Sequence, residues 1–277
     1  MKVDIIIFSK DRAMQLEALL YSMRKYVKNI GSIHVIAKVT SRNFLHGYLK
    51  FYNNQSKTAV KIYDEDYFGG FKRTFITVLN NVETKKVLLL CDDVIFTDEV
   101  DLDVYNPWLS WNSINLCLGT NITWCNAKSS VQQVSDYNIY KDLIRWKWTK
   151  AEGDFAYPNS ISASIFKTWW IRLLAKILPY DCPNWLEGKM NNKYVKKIIS
   201  PRTISYYNSK AYCLLLNQVQ TVYKFQEGLP EHSPEKLNEL FSQGKVIDTS
   251  ELDGIINDSI MLPADKYLKI VDYKDRR

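Results

Sequence analysis

The chain has 277 residues, of which 46% are hydrophobic and 24% charged, and its 37 Lys and Arg against 30 Asp and Glu give a net charge of +7. That composition excludes a disordered or collagen-like chain and leaves room for one large folded unit with a substantial core. The positive balance points to an anionic partner such as a nucleotide, a polyphosphate or an anionic membrane surface, while five cysteines without CxxC spacing fit a reducing, cytoplasmic compartment rather than a disulfide framework.

VDIIIF (3–8) reads as a buried strand, too short for a signal-peptide core or a membrane span. Leu16, Leu19, Leu20, Met23 and Val27 then recur at helical spacing, on a helix starting near Asp11. SIHVIAKV (32–39) and VKIYD (60–64) are the next strands. Phe71, Phe75, Val78, Leu79 and Val82 form a second helical stripe, followed by the strand KVLLLC (86–91). This β-α-β-β-α-β order predicts an α/β fold, a mostly parallel sheet with helices on both faces. Beyond residue 105 the pattern is less regular and rich in Trp, Tyr and Asn; helices are expected over 166–178, 209–226 and 234–243, and the charged tail 263–277 is expected to fray.

In open sheets of this kind ligands bind outside the carboxyl ends of the strands. Three predicted ends carry polar residues: Ser9-Lys10-Asp11-Arg12, Asp64-Glu65-Asp66 and Asp92-Asp93. Two adjacent carboxylates behind a buried strand repel each other and resist desolvation, so they need water, a cation or a partner. Paired acids suit a hard divalent cation shared with a diphosphate; the alternative is a solvated turn running into Asp98, Glu99, Asp101 and Asp103.

The stretches IIIFSKDRAMQLEALLYSM and YFGGFKRTFITVLNNVETKKVLLLCDDVIF resemble the nucleotide-binding half of GT-A-fold glycosyltransferases, over roughly residues 3–100. YPNSISASIF (157–166), CPNWLEG (182–188), NQVQTVYKF and LNELFSQGKVID are similar to acceptor-side segments of bacterial surface-polysaccharide sugar transferases. The resemblance implies a single GT-A domain, with residues 1–105 binding a nucleotide-sugar and residues 106–277 binding a glycan or lipid-linked acceptor. It also implies Mn2+ or Mg2+ on the donor diphosphate, held by Asp93 with Asp92. Cys91 stands where the family often has an acid, so which aspartate touches the metal stays open.

The same resemblance assigns Ser9, Asp11 and Arg12 to nucleoside and phosphate contacts and Asp64 to the base. Arg12 or Lys72 could pair with phosphate oxygens, and Asp11 could equally be a helix N-cap. Glu187 is the expected general base of an inverting transfer, with Asp181 and Asp154 in reserve. The family often takes a third metal ligand from the C-terminal part; His34, His46 and His232 show no ligand spacing, which leaves Asp258.

The aromatic-basic stretches IRWKWTK (144–150) and KTWWIRLLAKIL (167–178) allow sugar stacking, peripheral contact with a membrane or internal packing. Adjacent Trp169 and Trp170 cannot share one helix face, so one should be buried and one exposed. The rivals are a nucleotidyltransferase, which would usually carry a Gly-rich phosphate loop that is absent here, and a non-catalytic binder of nucleotide-sugars or other anions. A nucleic-acid binder would not cluster acids at its strand ends.

Overall fold

The computed structural model describes residues 1–54, 60–104, 111–222 and 230–276. In chain order its first half comprises β1 (Val3–Lys10), α1 (Ala13–Tyr26), β2 (Ile30–Lys38), α2 (Arg42–Asn54), β3 (Val60–Asp64), α3 (Phe71–Asn80), β4 (Lys86–Cys91) and β5 (Val94–Phe96). Then come β6 (Ile114–Asn115), β7 (Asn138–Tyr140), β8 (Leu143–Lys147), β9 (Ser164–Lys167), α4 (Thr168–Ile177), α5 (Pro183–Met190), α6 (Lys193–Ile198), β10 (Arg202–Tyr206) and β11 (Ala211–Leu215). The C-terminal elements are α7 (Pro234–Ser242), β12 (Lys245–Asp248), β13 (Met261–Pro263) and β14 (Lys269–Asp272).

Nine strands form one sheet in the order β7-β8-β10-β6-β9-β4-β1-β2-β3. The four strands of the first half pair parallel, with β1 between β2 and β4, as the apolar runs IIIF and VLLL predict for strands buried on both faces. The sheet then continues through antiparallel β9, so residues from before and after the predicted division at 105 share one sheet. Residue 105 itself lies outside the described residues.

Two apolar layers cover the faces. Leu16, Leu19, Leu20 and Met23 of α1 join Phe51 of α2 and Phe241 of α7 on one side. Phe71, Phe75, Val78 and Leu79 of α3 join Ile171 and Leu174 of α4 and Leu186 and Met190 of α5 on the other. A three-stranded sheet, β13-β11-β5, stands where the chain leaves the Asp92-Asp93 turn.

Three sequence expectations are corrected. A helix, α2, lies between the second and third strands, giving β-α-β-α-β-α-β; its buried Phe44, Tyr48 and Phe51 are helically spaced, but exposed Leu45, Leu49 and Tyr52 between them blur the stripe. The region 209–226 is not helical where described: Ala211–Leu215 is a strand paired with both β5 and β13, and 223–226 lie outside the described residues. The tail does not fray, because β14 pairs with β12 and Arg276 is buried on Glu17 at 2.7 Å, donates to the Ile247 carbonyl and covers the Tyr21 ring. Among the described residues no helix is long and apolar enough to cross a membrane.

Candidate active site

The ends of β1 and β4 meet as adjacent parallel strands, and the ladder continues one step past β4, with the Asp92 N–H donating to the Phe8 carbonyl at 3.1 Å. This places the Asp92 carboxylate beneath the β1–α1 turn. Its Oδ2 accepts from the Ser9 hydroxyl at 2.9 Å and the Lys10 N–H at 3.2 Å, and its Oδ1 accepts from Arg12 Nη1 at 3.1 Å. The same Nη1 reaches Asp93 Oδ2 at 3.3 Å. Arg12 is fixed from behind by Asn217, whose side-chain oxygen accepts from Nε at 2.8 Å and whose carbonyl accepts from Nη2. Tyr48 of α2 completes the cluster with a 2.6 Å hydrogen bond to Ser9.

One guanidinium therefore serves two carboxylates in a nearly dry place. Burial, followed by the neighbouring Asp93, pushes the Asp92 carboxyl up to about 6 against the pull of Arg12 and Ser9. Burial works against the Arg12 charge as well, but the two carboxylates outweigh it and raise its pKa, so the guanidinium stays charged. Burial and the surrounding acids Asp93, Glu187 and Asp92 push the Cys91 thiol well up and keep it neutral.

Glu187 belongs to α5, which opens on Pro183 in its first turn. Its Oε1 accepts the Ile161 N–H at 2.8 Å, and its charge is felt at Cys91, so α5 delivers this acid to the end of β4. Burial raises the Glu187 carboxyl above the usual range, opposed by hydrogen bonds from Ile161, Ser160 and Tyr157. Ser9, Arg12, Asp92, Asp93 and Glu187 thus converge on one strand end.

The other predicted residues have different partners. Asp11 accepts from the Thr40 N–H at 2.8 Å and hydroxyl at 2.7 Å, tying the β1–α1 turn to the β2–α2 turn; it does not cap α1, whose N-cap is Arg12. Asp64 is exposed at the end of β3 and accepts from the N–H groups of Asp66 and Tyr67, closing its own turn. Lys72 donates to the carbonyls of Leu178 at 2.6 Å and Lys176 at 3.3 Å, closing the C-terminal end of α4. Asp181 is exposed just before α5. Asp154 accepts from Gln132 at 2.8 Å, and burial raises its carboxyl. His34 is buried in β2 beside Tyr63, and His46 is exposed.

Asn217 and Tyr48 were not singled out in the sequence. Asn217 ends the apolar run AYCLLL with a polar residue, the same signal as CDD, although the sequence over 209–226 predicts a helix there. On its other side Asn217 lines a cavity of about 600 Å³, together with Trp124, His232, Asp258 and Met261.

The donor set decides how a divalent cation would fit. Both oxygens of Asp92 are engaged, one of them by a guanidinium, so Asp92 does not suit a metal ligand. Asp93 keeps its Oδ1 without a partner among the described residues and is the more open of the two, its side chain 16% exposed against 4%. Mn2+ or Mg2+ would be held by Asp93 together with water or the oxygens of a bound ligand, an arrangement these ions tolerate. Among the described residues no group of three or more His, Cys, Asp or Glu side chains is assembled for a metal, so Asp258 does not complete such a group with Asp92 and Asp93.

Over 270 residues the chain is 27% identical to the bifunctional glycosyltransferase pgtA of Dictyostelium discoideum, a match covering 80% of this chain. The chain is a relative of a glycosyltransferase. It spans about a third of that relative's length (33%). No family model matches the sequence. Among solved structures, residues 1–349 of Staphylococcus aureus TarS with UDP-GlcNAc align at a TM-score of 0.44 and 12% identity, over 77% of this chain and 58% of that one. A UTP-bound UGPase from Acinetobacter baumannii aligns at 0.43 and 12%, over 77% and 88%. A mannosyltransferase from Pyrobaculum calidifontis, solved with GDP-Man and Mn2+, aligns at 0.32 and 10%, over 43% and 36%.

Proposed function

We propose that the protein is a glycosyltransferase that moves a hexosyl group from a nucleotide-sugar to a glycan or lipid-linked acceptor hydroxyl with inversion, at the cytoplasmic side of surface-polysaccharide assembly. The observation that carries the reading is the convergence of Asp93, the Arg12-fixed Asp92 and the raised Glu187 at the ends of β1 and β4. The donor diphosphate lies against Asp93 at this strand end. The acceptor enters from the side of Asn217, where the 600 Å³ cavity offers Trp124 as a stacking face and Asp258 as a hydroxyl partner.

Glu187 takes the proton of the acceptor hydroxyl, and its raised pKa makes it a stronger base than an exposed carboxylate. The freed oxygen forms the new bond to the anomeric carbon while the bond to the diphosphate breaks, and the electron pair leaves with the nucleoside diphosphate. A divalent cation bound at Asp93 would supply positive charge against that leaving group. Arg12 does not need to reach the donor in this scheme; it holds Asp92 and Asp93 in register.

The test is a thermal-shift panel of nucleoside diphosphates, with and without Mn2+, on the wild type and Asp93→Asn. One nucleotide should raise the melting temperature, Mn2+ should enlarge the shift, and Asp93→Asn should remove the enlargement. If no nucleotide shifts the wild type, the proposed function is wrong; if Asp93→Asn behaves as wild type, Asp93 leaves the site.

A further inference from the structure

Helices α4, α5 and α6 form one layer on a single face of the sheet, because Ile171, Leu174, Leu186, Met190 and Val195 share a buried cluster with α3. The outer side of this layer is unusually apolar. Along α4, Trp169, Leu173 and Ile177 follow one another at four-residue spacing and are 61%, 42% and 59% exposed. On α5 Trp185 is 43% exposed, and on α6 Tyr194 and Ile198, again four apart, are each 68% exposed. Trp170, by contrast, packs against the buried cluster, so the two adjacent tryptophans divide between core and surface. The other aromatic-basic stretch turns inward: Trp146 and Trp148 are buried and donate to the carbonyls of Phe155 and Ser200.

Charge identifies what covers this face. Residues 168–199 contain six basic and two acidic side chains. Of the acids, Glu187 turns inward to Ile161, and of the bases Arg172 and Lys196 are drawn inward, to the carbonyls of Leu79 and Val82 and to that of Ala156. Lys176, Lys193 and Lys197 are exposed among the apolar side chains, and Lys189 and Lys193 lie over the rings of Trp185 and Tyr194 at 5.3 and 5.2 Å. Protein interfaces are depleted in lysine at their centres. Lipid headgroups favour the opposite arrangement: apolar side chains enter the acyl boundary while lysine stems lie along them and carry the ammonium to anionic phosphates.

We propose that the outer face of α4, α5 and α6 docks on an anionic membrane surface. The docking stands on the surface alone. A consequence for the acceptor rests on the function proposed above: Trp185 and Glu187 are both on α5, so a docked molecule would hold Glu187 about one helix diameter, ~10 Å, from the bilayer, where a lipid-linked hydroxyl is presented.

The experiment is co-sedimentation of the whole chain with vesicles of phosphatidylcholine alone and of phosphatidylcholine mixed with phosphatidylglycerol. Wild type should sediment with the mixed vesicles, less so at high salt, and stay in solution with the neutral ones. The variant Trp169→Ser/Leu173→Ser/Ile177→Ser should lose binding at least about tenfold, and Lys193→Gln or Lys197→Gln should each weaken it about fivefold. All these side chains are exposed, so melting temperatures should be unchanged, and nucleotide shifts, which report the proposed function separately, should persist. Absence of sedimentation with mixed vesicles would overturn the proposal, as would equal binding by the triple variant. Lipid-free self-association of the wild type that the triple variant abolishes would overturn it in favour of a second copy as the occupant.

Discussion

Replacing Arg12 by Met should expose how much of the site depends on one guanidinium. The side chain makes four hydrogen bonds, two to the carboxylates of Asp92 and Asp93 and two to Asn217, and its ion pair with Asp92 is almost dry, with 8% and 4% of the two side chains exposed. Removing one member of such a pair leaves an uncompensated buried charge and costs about 3–5 kcal/mol. At about 2–4 °C per kcal/mol for a domain of this size, the melting temperature should fall by about 6–20 °C at pH 7.5. The loss should shrink as the pH is lowered. Asp92 already sits at about 6 against its ordinary 3.8, so below 6 the folded protein takes up a proton there that the unfolded chain does not. That carboxylate's contribution to stability therefore declines as pH rises from 3.8 through 6, and at pH 5 wild type and variant both hold Asp92 neutral. Adding Asp92→Asn to Arg12→Met should recover about 1–3 kcal/mol at pH 7.5, the coupling expected of contacting residues. Thermal unfolding of wild type, Arg12→Met, Asp92→Asn and the double variant at pH 7.5 and pH 5 tests this. A loss below about 1 kcal/mol at pH 7.5, or one that does not diminish at pH 5, would refute the account.

Lys72→Met removes the two hydrogen bonds that close α4, so stability should drop by about 1 kcal/mol while donor affinity is unchanged; a large affinity loss at constant melting temperature would return Lys72 to the phosphates. The pH profile of transfer should rise through an acidic limb set by Glu187, since only its carboxylate accepts a proton, and the limb should lie above the ordinary carboxylate range. Glu187→Gln should bind donor, lose transfer and show no such limb in any residual rate. At Gly119 a Cβ would stand 2.5 Å from the Ser209 nitrogen and 2.8 Å from the Asn208 carbonyl carbon, both backbone, so Gly119→Ala should cost about 1–3 kcal/mol in urea unfolding.

The parts of the fold legible in the sequence are those where one residue pattern has one structural solution. VDIIIF and KVLLLC are too short for helices and too apolar for exposed strands, and both are central in the sheet. The stripe from Phe71 to Leu79 is an amphipathic helix because nothing else buries all its apolar residues at once. Where the pattern was mixed, tertiary contacts decided. AYCLLL lies in a strand because β5 and β13 flank it, information held more than 40 residues away. The charged tail is ordered because Glu17, buried on α1, receives Arg276 from 259 residues along the chain.

The candidate site divides in the same manner. Strand ends could be read locally, so Ser9, Arg12, Asp92 and Asp93 were found together; their roles could not, because a role depends on which oxygen already has a partner. Sequence offers two equal aspartates. The fold makes them unequal: the ladder past β4 turns Asp92 under the β1–α1 turn, where Ser9, Lys10 and Arg12 use both its oxygens, and turns Asp93 outward with Oδ1 to spare. The guanidinium that neutralises Asp92 comes from the first turn after β1, and Asn217, which fixes it, comes from the end of β11. β11 runs beside β5, with Cys213 against Val94, and carries Asn217 to Arg12 at the edge of the cavity it lines. Asn217 thus holds Arg12 on one side and lines the cavity on the other, which is why Asn217→Ala should disturb both Arg12 and the cavity while Asp64→Ala, at the sheet's edge, should disturb neither.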